Sequence, residues 1–180
     1  TEVVQAGNLG AVLMPGSWGF QVDANAWRLN PSYLPLFILK RLALDYPDSP
    51  WPDILQTSAR VVIASSAKGW APDWVLYRAN GEFSADPEHG DRGSYDAIRV
   101  YLWAGMLSAQ DPLQARLLES LQGMQHYLQT TGVPPQTVSS LTGTASGDGP
   151  SGFSAALLPF LQARGASASL REQWQRLQAK

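Results

Sequence analysis

Apolar residues recur at helical spacing in six stretches of this chain. The first covers about residues 31–45, with Leu34, Phe37, Ile38 and Leu42 on one face. Asn30 precedes it as a cap, Pro31 suits the first helical position, and Tyr46-Pro47 ends it. The second is predicted to start with Ser49 as cap and Pro50 as first residue. It carries Ile54, Leu55, Val61 and Val62, and Gly69 lies just past its end. The third opens with Gly93 as loop exit and Ser94 as N-cap, and continues through Tyr101 and Trp103. The fourth, capped by Asp111-Pro112 and closed by Gly132, turns Leu113, Leu117, Leu121, Met124 and Leu128 inward. Residues 151–163 form the fifth, kinked or ended by Pro159. Ser169-Leu170-Arg171-Glu172 reads as the capping box of the sixth.

The segments between them carry shorter signals. Residues 3–14 read as a loop and a short extended piece ending at the Pro15-Gly16 turn. Residues 17–32 lack a helical period but are dense in ligand-binding groups: Trp18, Asp23, Asn25, Trp27, Arg28 and Asn30. Such a segment is either a binding loop or a satisfied polar knot. Asn80-Gly81 between residues 74–77 and 82–84 is a hairpin signal, and residues 133–150 are turn-rich with room for a second hairpin. The expected fold is therefore all-α, with three consecutive helix pairs and small β-hairpins in the longer connections. Stacked pairs make a solenoid or a closed toroid. No internal repeat supports the solenoid, and a toroid would gather the long loops at one end.

Composition narrows the function classes. At 180 residues, 44% hydrophobic, the chain suits a single domain over residues 1–180. A net charge of −2 and the lack of a basic run argue against a nucleic-acid partner. The longest apolar candidate, residues 34–39, is broken by Pro35 and followed by Lys40 and Arg41, so no membrane insertion is expected. No signal peptide stands at the start, as expected of a chain that never had one or has lost it. Cysteine is absent, which removes thiolate chemistry, and neither His89 nor His126 has a metal-ligand partner at useful spacing. No metal or cofactor is expected. Seven tryptophans are unusual. Their rings serve as core, or as apolar plates that stack on the C–H faces of sugars.

The candidate chemistry lies in residues 93–103, GSYDAIRVYLW. Asp96 and Arg99 are three apart and share a helix face. Tyr95, Tyr101 and Trp103 surround them. A carboxylate at a helix N-terminus beside an arginine is an ordinary surface pair. Among aromatics it also suits a sugar-cleaving site.

Four segments in order, WRLNPSYLP (residues 27–35), APDWVLY (71–77), SYDAIRVYLW (94–103) and GPSGFSAALLPFL (149–161), resemble glycoside hydrolase family 8. Within it, they are most similar to the endo-1,4-β-glucanases of bacterial cellulose synthase operons. The resemblance implies an (α/α)6 barrel that hydrolyses internal β-1,4 bonds of cellulose with inversion. It implies Asp96 as general base, with Tyr95 and Arg99 holding the water or sugar. It also makes Trp27, Arg28, Asn30, Tyr33, Trp18 and Trp103 expected glucan contacts. A helix N-terminus and Arg99 would both keep Asp96 ionised. The family's proton-donating glutamate sits in an upstream Ser-Glu-Gly-Gln type motif, and a further aspartate in an A-D-x-D type motif. Neither motif is here, and Glu2, Glu82, Glu88, Glu119 and Glu172 stand in no matching context. The chain thus looks like the C-terminal half of such an enzyme, with the N-terminal half as an expected partner. Alone, it is expected neither to fold stably nor to cleave. Periplasmic or secreted localisation follows from the resemblance only. The alternatives are a non-catalytic β-glucan-binding remnant, a relative acting on xylan, chitosan or mixed-linkage glucan, and an all-α scaffold whose tryptophans are core.

Overall fold

In the computed structural model, which describes residues 2–66 and 68–179, helix α3 (Ile98–Gly105) packs between α1 (Leu36–Asp45) and α6 (Ser151–Ala163). Behind these lie α2 (Trp51–Ser65), α4 (Pro112–Ser120), α5 (Gln122–Thr131) and α7 (Ser167–Gln178). Gly105 permits the close approach of α3 and α6: a Cβ there would sit 2.3 Å from the Phe160 nitrogen. Tyr101 then meets Phe160 edge-on, with ring centroids 5.3 Å apart and both side chains fully enclosed. α6 runs through Pro159 without ending. Among the described residues, no helix is long and apolar enough to cross a membrane.

Several helix boundaries differ from expectation. Pro35 pushes Leu34 out of the helical region (φ −112°, ψ 69°), so residues 31–33 form a separate 3-10 turn and α1 starts after it. Asn30 caps that turn, accepting from the Ser32 amide. The fourth predicted helix is two, α4 and α5: Gly123 gives its N–H to the Gly69 carbonyl at 3.0 Å instead of to the preceding turn. The predicted capping box is absent. α7 already begins at Ser167, and Ser169 lies buried inside it.

The all-α expectation needs correction. Besides the seven α-helices among the described residues there are three antiparallel sheets. β1 (Val3–Gln5) pairs with β2 (Ala11–Leu13). β3 (Gln21–Asp23), β4 (Ala26–Leu29), β5 (Val75–Arg78) and β6 (Phe83–Ala85) form a four-stranded sheet. β7 (Arg92–Gly93), β8 (Pro135–Ser139) and β9 (Ala145–Asp148) form the third. The Asn80-Gly81 hairpin is present as β5–β6, with Gly81 at φ 99°. The pairings β4–β5 and β7–β8 join strands more than forty residues apart, which no local turn signal reveals. They bring residues 28–33, 73–74 and 92–97 to one end of the helices.

Candidate active site

α3 begins at Ile98, so Asp96 stands on the turn that leads into it. Ser94 does not cap the helix with its side chain; its hydroxyl donates to the Gln136 carbonyl at 2.6 Å. The free N–H groups of Ser94, Asp96 and Ala97 instead converge on Asp73 Oδ1, at 2.8, 3.2 and 2.8 Å. Asp73, 4% exposed, therefore occupies the positive end of the helix. The expectation that the Asp96 carboxylate benefits from this end is corrected accordingly: Asp73 takes its amides. The Asp96 carboxylate meets two side chains: Arg99 Nη2 donates to Oδ1 at 2.6 Å and Asn30 Nδ2 to Oδ2 at 2.9 Å.

These donors are themselves fixed. Asn30 is buried, and its Oδ1 accepts from the Ser32 amide at 3.0 Å and the Ser32 hydroxyl at 2.6 Å. Its amide nitrogen is thereby turned toward Asp96. Arg99 Nη2 also donates to Ser32 Oγ at 3.0 Å, and the Trp103 indole N–H to the Ser32 carbonyl at 2.9 Å. The 3-10 turn is thus tied to α3 from both sides. With charge-assisted donors on both oxygens and its side chain still 27% exposed, Asp96 is a held, solvent-reachable carboxylate, which suits proton abstraction from water.

An aromatic group adjoins it. Tyr33, 43% exposed, has the Arg99 guanidinium 5.8 Å from its ring centre and meets Trp74 in a T-shaped contact with ring centres 6.0 Å apart. Trp74 stacks with Phe20 at 5.9 Å and with His89 at 5.1 Å. The His89 ring bonds to Asp86 Oδ1 at 2.8 Å, and Asp86 Oδ2 accepts from Arg28 Nε at 2.7 Å. Asp86 Oδ1 also takes the N–H groups of Glu88 and His89. Burial pushes the Asp86 carboxyl up, but Arg28, His89 and those amides outweigh it and hold it below the usual carboxylate range. Arg28 is raised in turn, chiefly by its bond to Asp86.

Asp111, the cap of α4, behaves alike: burial opposes ionisation, while Lys40 and the Leu113 amide more than compensate. Both carboxyls are thus lowered in the folded chain. Their stabilisation is complete above the unfolded pKa of about 4 and is lost as pH falls through the lower folded values. The urea midpoint should therefore drop steadily below about pH 4, and Asp111→Asn should flatten part of that slope. A midpoint that is constant from neutral pH into strong acid would contradict it.

The structure brings together five of the predicted site residues: Asp96, Arg99, Asn30, Tyr33 and Trp103. Tyr95 is exposed beside them, its ring edge-on to Phe153 at 5.1 Å. Trp18 is 85% exposed on the connection between β2 and β3. Trp27 is different. At 5% exposure it lies in the core against Tyr77, so its ring is not a surface for sugar. Arg28 commits its guanidinium to Asp86 and to Glu88, at 2.7 Å each, and supports the aromatic group from behind. Asp73, Trp74, Asp86 and His89 were not anticipated. Asp73 and Trp74 do lie within the APDWVLY segment.

The family model described as Glycosyl hydrolases family 8 matches residues 1–173. An endoglucanase of Xanthomonas axonopodis pv. citri (strain 306) is 49% identical over 178 residues, which are 99% of this chain and 46% of that protein. An endoglucanase of Salmonella typhi is 46% identical over 95% of this chain and 46% of its own length. The crystal structure of endo-1,4-D-glucanase from Vibrio fischeri ES114 matches with a TM-score of 0.92 at 38% identity, covering 99% of this chain and 51% of that one. The chain spans about half the length of the curated relatives it matches.

Proposed function

Because this chain belongs to glycosyl hydrolase family 8, we propose that it supplies the general-base half of an inverting endo-1,4-β-glucanase. One observation carries the assignment: Asp96 is gripped by Asn30 and Arg99 yet open to solvent. In this mechanism Asp96 takes a proton from water as the water oxygen attacks the anomeric carbon. The glycosidic C–O bond breaks, and its oxygen receives a proton from a carboxylic acid on the opposite face of the sugar. The two carboxyls of an inverting pair stand roughly 6.5–9.5 Å apart, leaving room for the water. The acid is a glutamate of the upstream half, which completes an (α/α)6 barrel. The relatives' double length supports such a half.

The polymer is β-1,4-glucan, with Tyr33, Tyr95 and Trp18 offering exposed rings to pyranose faces. Xylan, chitosan and mixed-linkage glucan are the alternative substrates. On the resemblance to such glucanases, the protein is proposed to act in the periplasm or outside the cell. Proton NMR of cello-oligosaccharide cleavage by the complete enzyme tests the mechanism: the α-anomer of the new reducing end should appear first. A β-anomer first would overturn inversion. Binding without any product would favour the non-catalytic β-glucan-binding alternative.

A further inference from the structure

We infer that Asp73 is a positioning residue for Asp96, a role that rests on the general-base reading above. The contacts run both ways between two loops. The Asp73 amide donates to the Arg92 carbonyl at 2.7 Å, while Asp73 Oδ1 accepts from Ser94, Asp96 and Ala97. The middle N–H of that set belongs to Asp96 itself. Asp73 Oδ2 faces Arg92 Nε at 3.4 Å. Two further contacts press the loops together. Gly93 lies so close that a Cβ would stand 2.2 Å from the Ala71 carbonyl oxygen, and the Ala71 amide donates to the buried Tyr101 hydroxyl at 3.3 Å.

An ordinary helix cap needs one side-chain oxygen and one or two amides. Here a buried carboxylate gathers three amides from the turn that presents Asp96, from 21 to 24 residues away. Charge-assisted bonds of this kind are short and directional. Their loss frees the Asp96 backbone to move relative to Asn30, which is anchored on a different segment through Ser32. Asp73 touches no reacting atom; it sets where the Asp96 carboxylate stands.

The test is steady-state kinetics on cello-oligosaccharides with the complete enzyme, both halves present. A misplacement of about 1 Å costs on the order of 10²-fold in turnover, so Asp73→Ala should lower kcat by about that factor with KM within about threefold. Asp111→Ala removes a cap from α4 and serves as control; its kcat should stay at the wild-type value. Asp73→Asn keeps an oxygen for the three amides and should recover most of the rate. Asp73→Glu keeps the charge but displaces the oxygen by one methylene, and should lose rate as Asp73→Ala does. Should Asp73→Ala fail to fold, the Asn and Glu variants decide: equal kcat in both would overturn the role. So would wild-type kcat in Asp73→Ala while Asp96→Asn is inactive. Full turnover in Asp96→Asn would overturn the base reading, and this role with it.

Discussion

Replacing Asp96 by asparagine in the complete enzyme should lower glucan turnover by about 10²–10⁴-fold, the range a positioned base contributes. Cello-oligosaccharide affinity should change little. Asparagine has nearly the same shape, but its NH2 replaces one acceptor oxygen, so one of the two bonds from Arg99 and Asn30 is lost, while Asn30, Ser32 and Trp103 keep the contacts that tie the turn to α3. Arg99 keeps its bond to Ser32 Oγ and its place over Tyr33. What disappears is the ability to accept a proton at the carboxylate oxygen. Initial rates on a soluble cellulose derivative, with oligosaccharide binding followed by tryptophan fluorescence, separate the two effects. Turnover within tenfold of the wild type would remove Asp96 as the base. A parallel loss of binding would instead mean that the Asp96–Arg99 pair chiefly shapes the cleft.

Asp96 and Arg99 were legible because their relation is local: three residues apart in a segment that resembles a known family. Asn30 was legible as a cap, since Asn before Pro is a local signal. Its second bond, from Nδ2 to a carboxylate 66 positions away, was not. The helices were read well where caps and stops are encoded nearby, as at Asp111 and Gly132. They were misjudged where a distant group supplies the partner. Ser94 looked like the cap of α3, yet Asp73 takes the amides, because the β7–β8 pairing and the close Gly93–Ala71 contact carry the two loops together. The strands escaped for the same reason. Residues 26–29 pair with residues 75–78 across the intervening α1 and α2. Trp27 shows the limit of composition. It shares a ligand-rich segment with Arg28 and Asn30, but strand alternation turns it into the core against Tyr77.

Asp86→Ala should give the largest loss of stability among the site variants, about 3–5 kcal/mol, the cost of breaking a buried ion pair by removing one partner. The Asp86 side chain is fully buried, and that of Arg28 is 16% exposed. Without Asp86, Arg28 keeps only Glu88, whose side chain is 66% exposed and whose pairing in water is worth little. The His89 ring and the Glu88 and His89 amides lose their acceptor as well. The damage should then travel by contact. His89 stacks with Trp74, Trp74 supports Tyr33, and Tyr33 lies under Arg99. A loosened stack presents the sugar-facing ring of Tyr33 less well, so KM for oligosaccharides should rise more than kcat falls. Glu88→Ala, which removes only the exposed partner, should change stability by about 0–1 kcal/mol. Urea denaturation of the two variants, with kinetics on each, checks both parts. Equal stabilities would mean that the buried carboxylate contributes no more than the exposed one. A fall in kcat at constant KM would place Asp86 behind Asp96 rather than behind the aromatic surface.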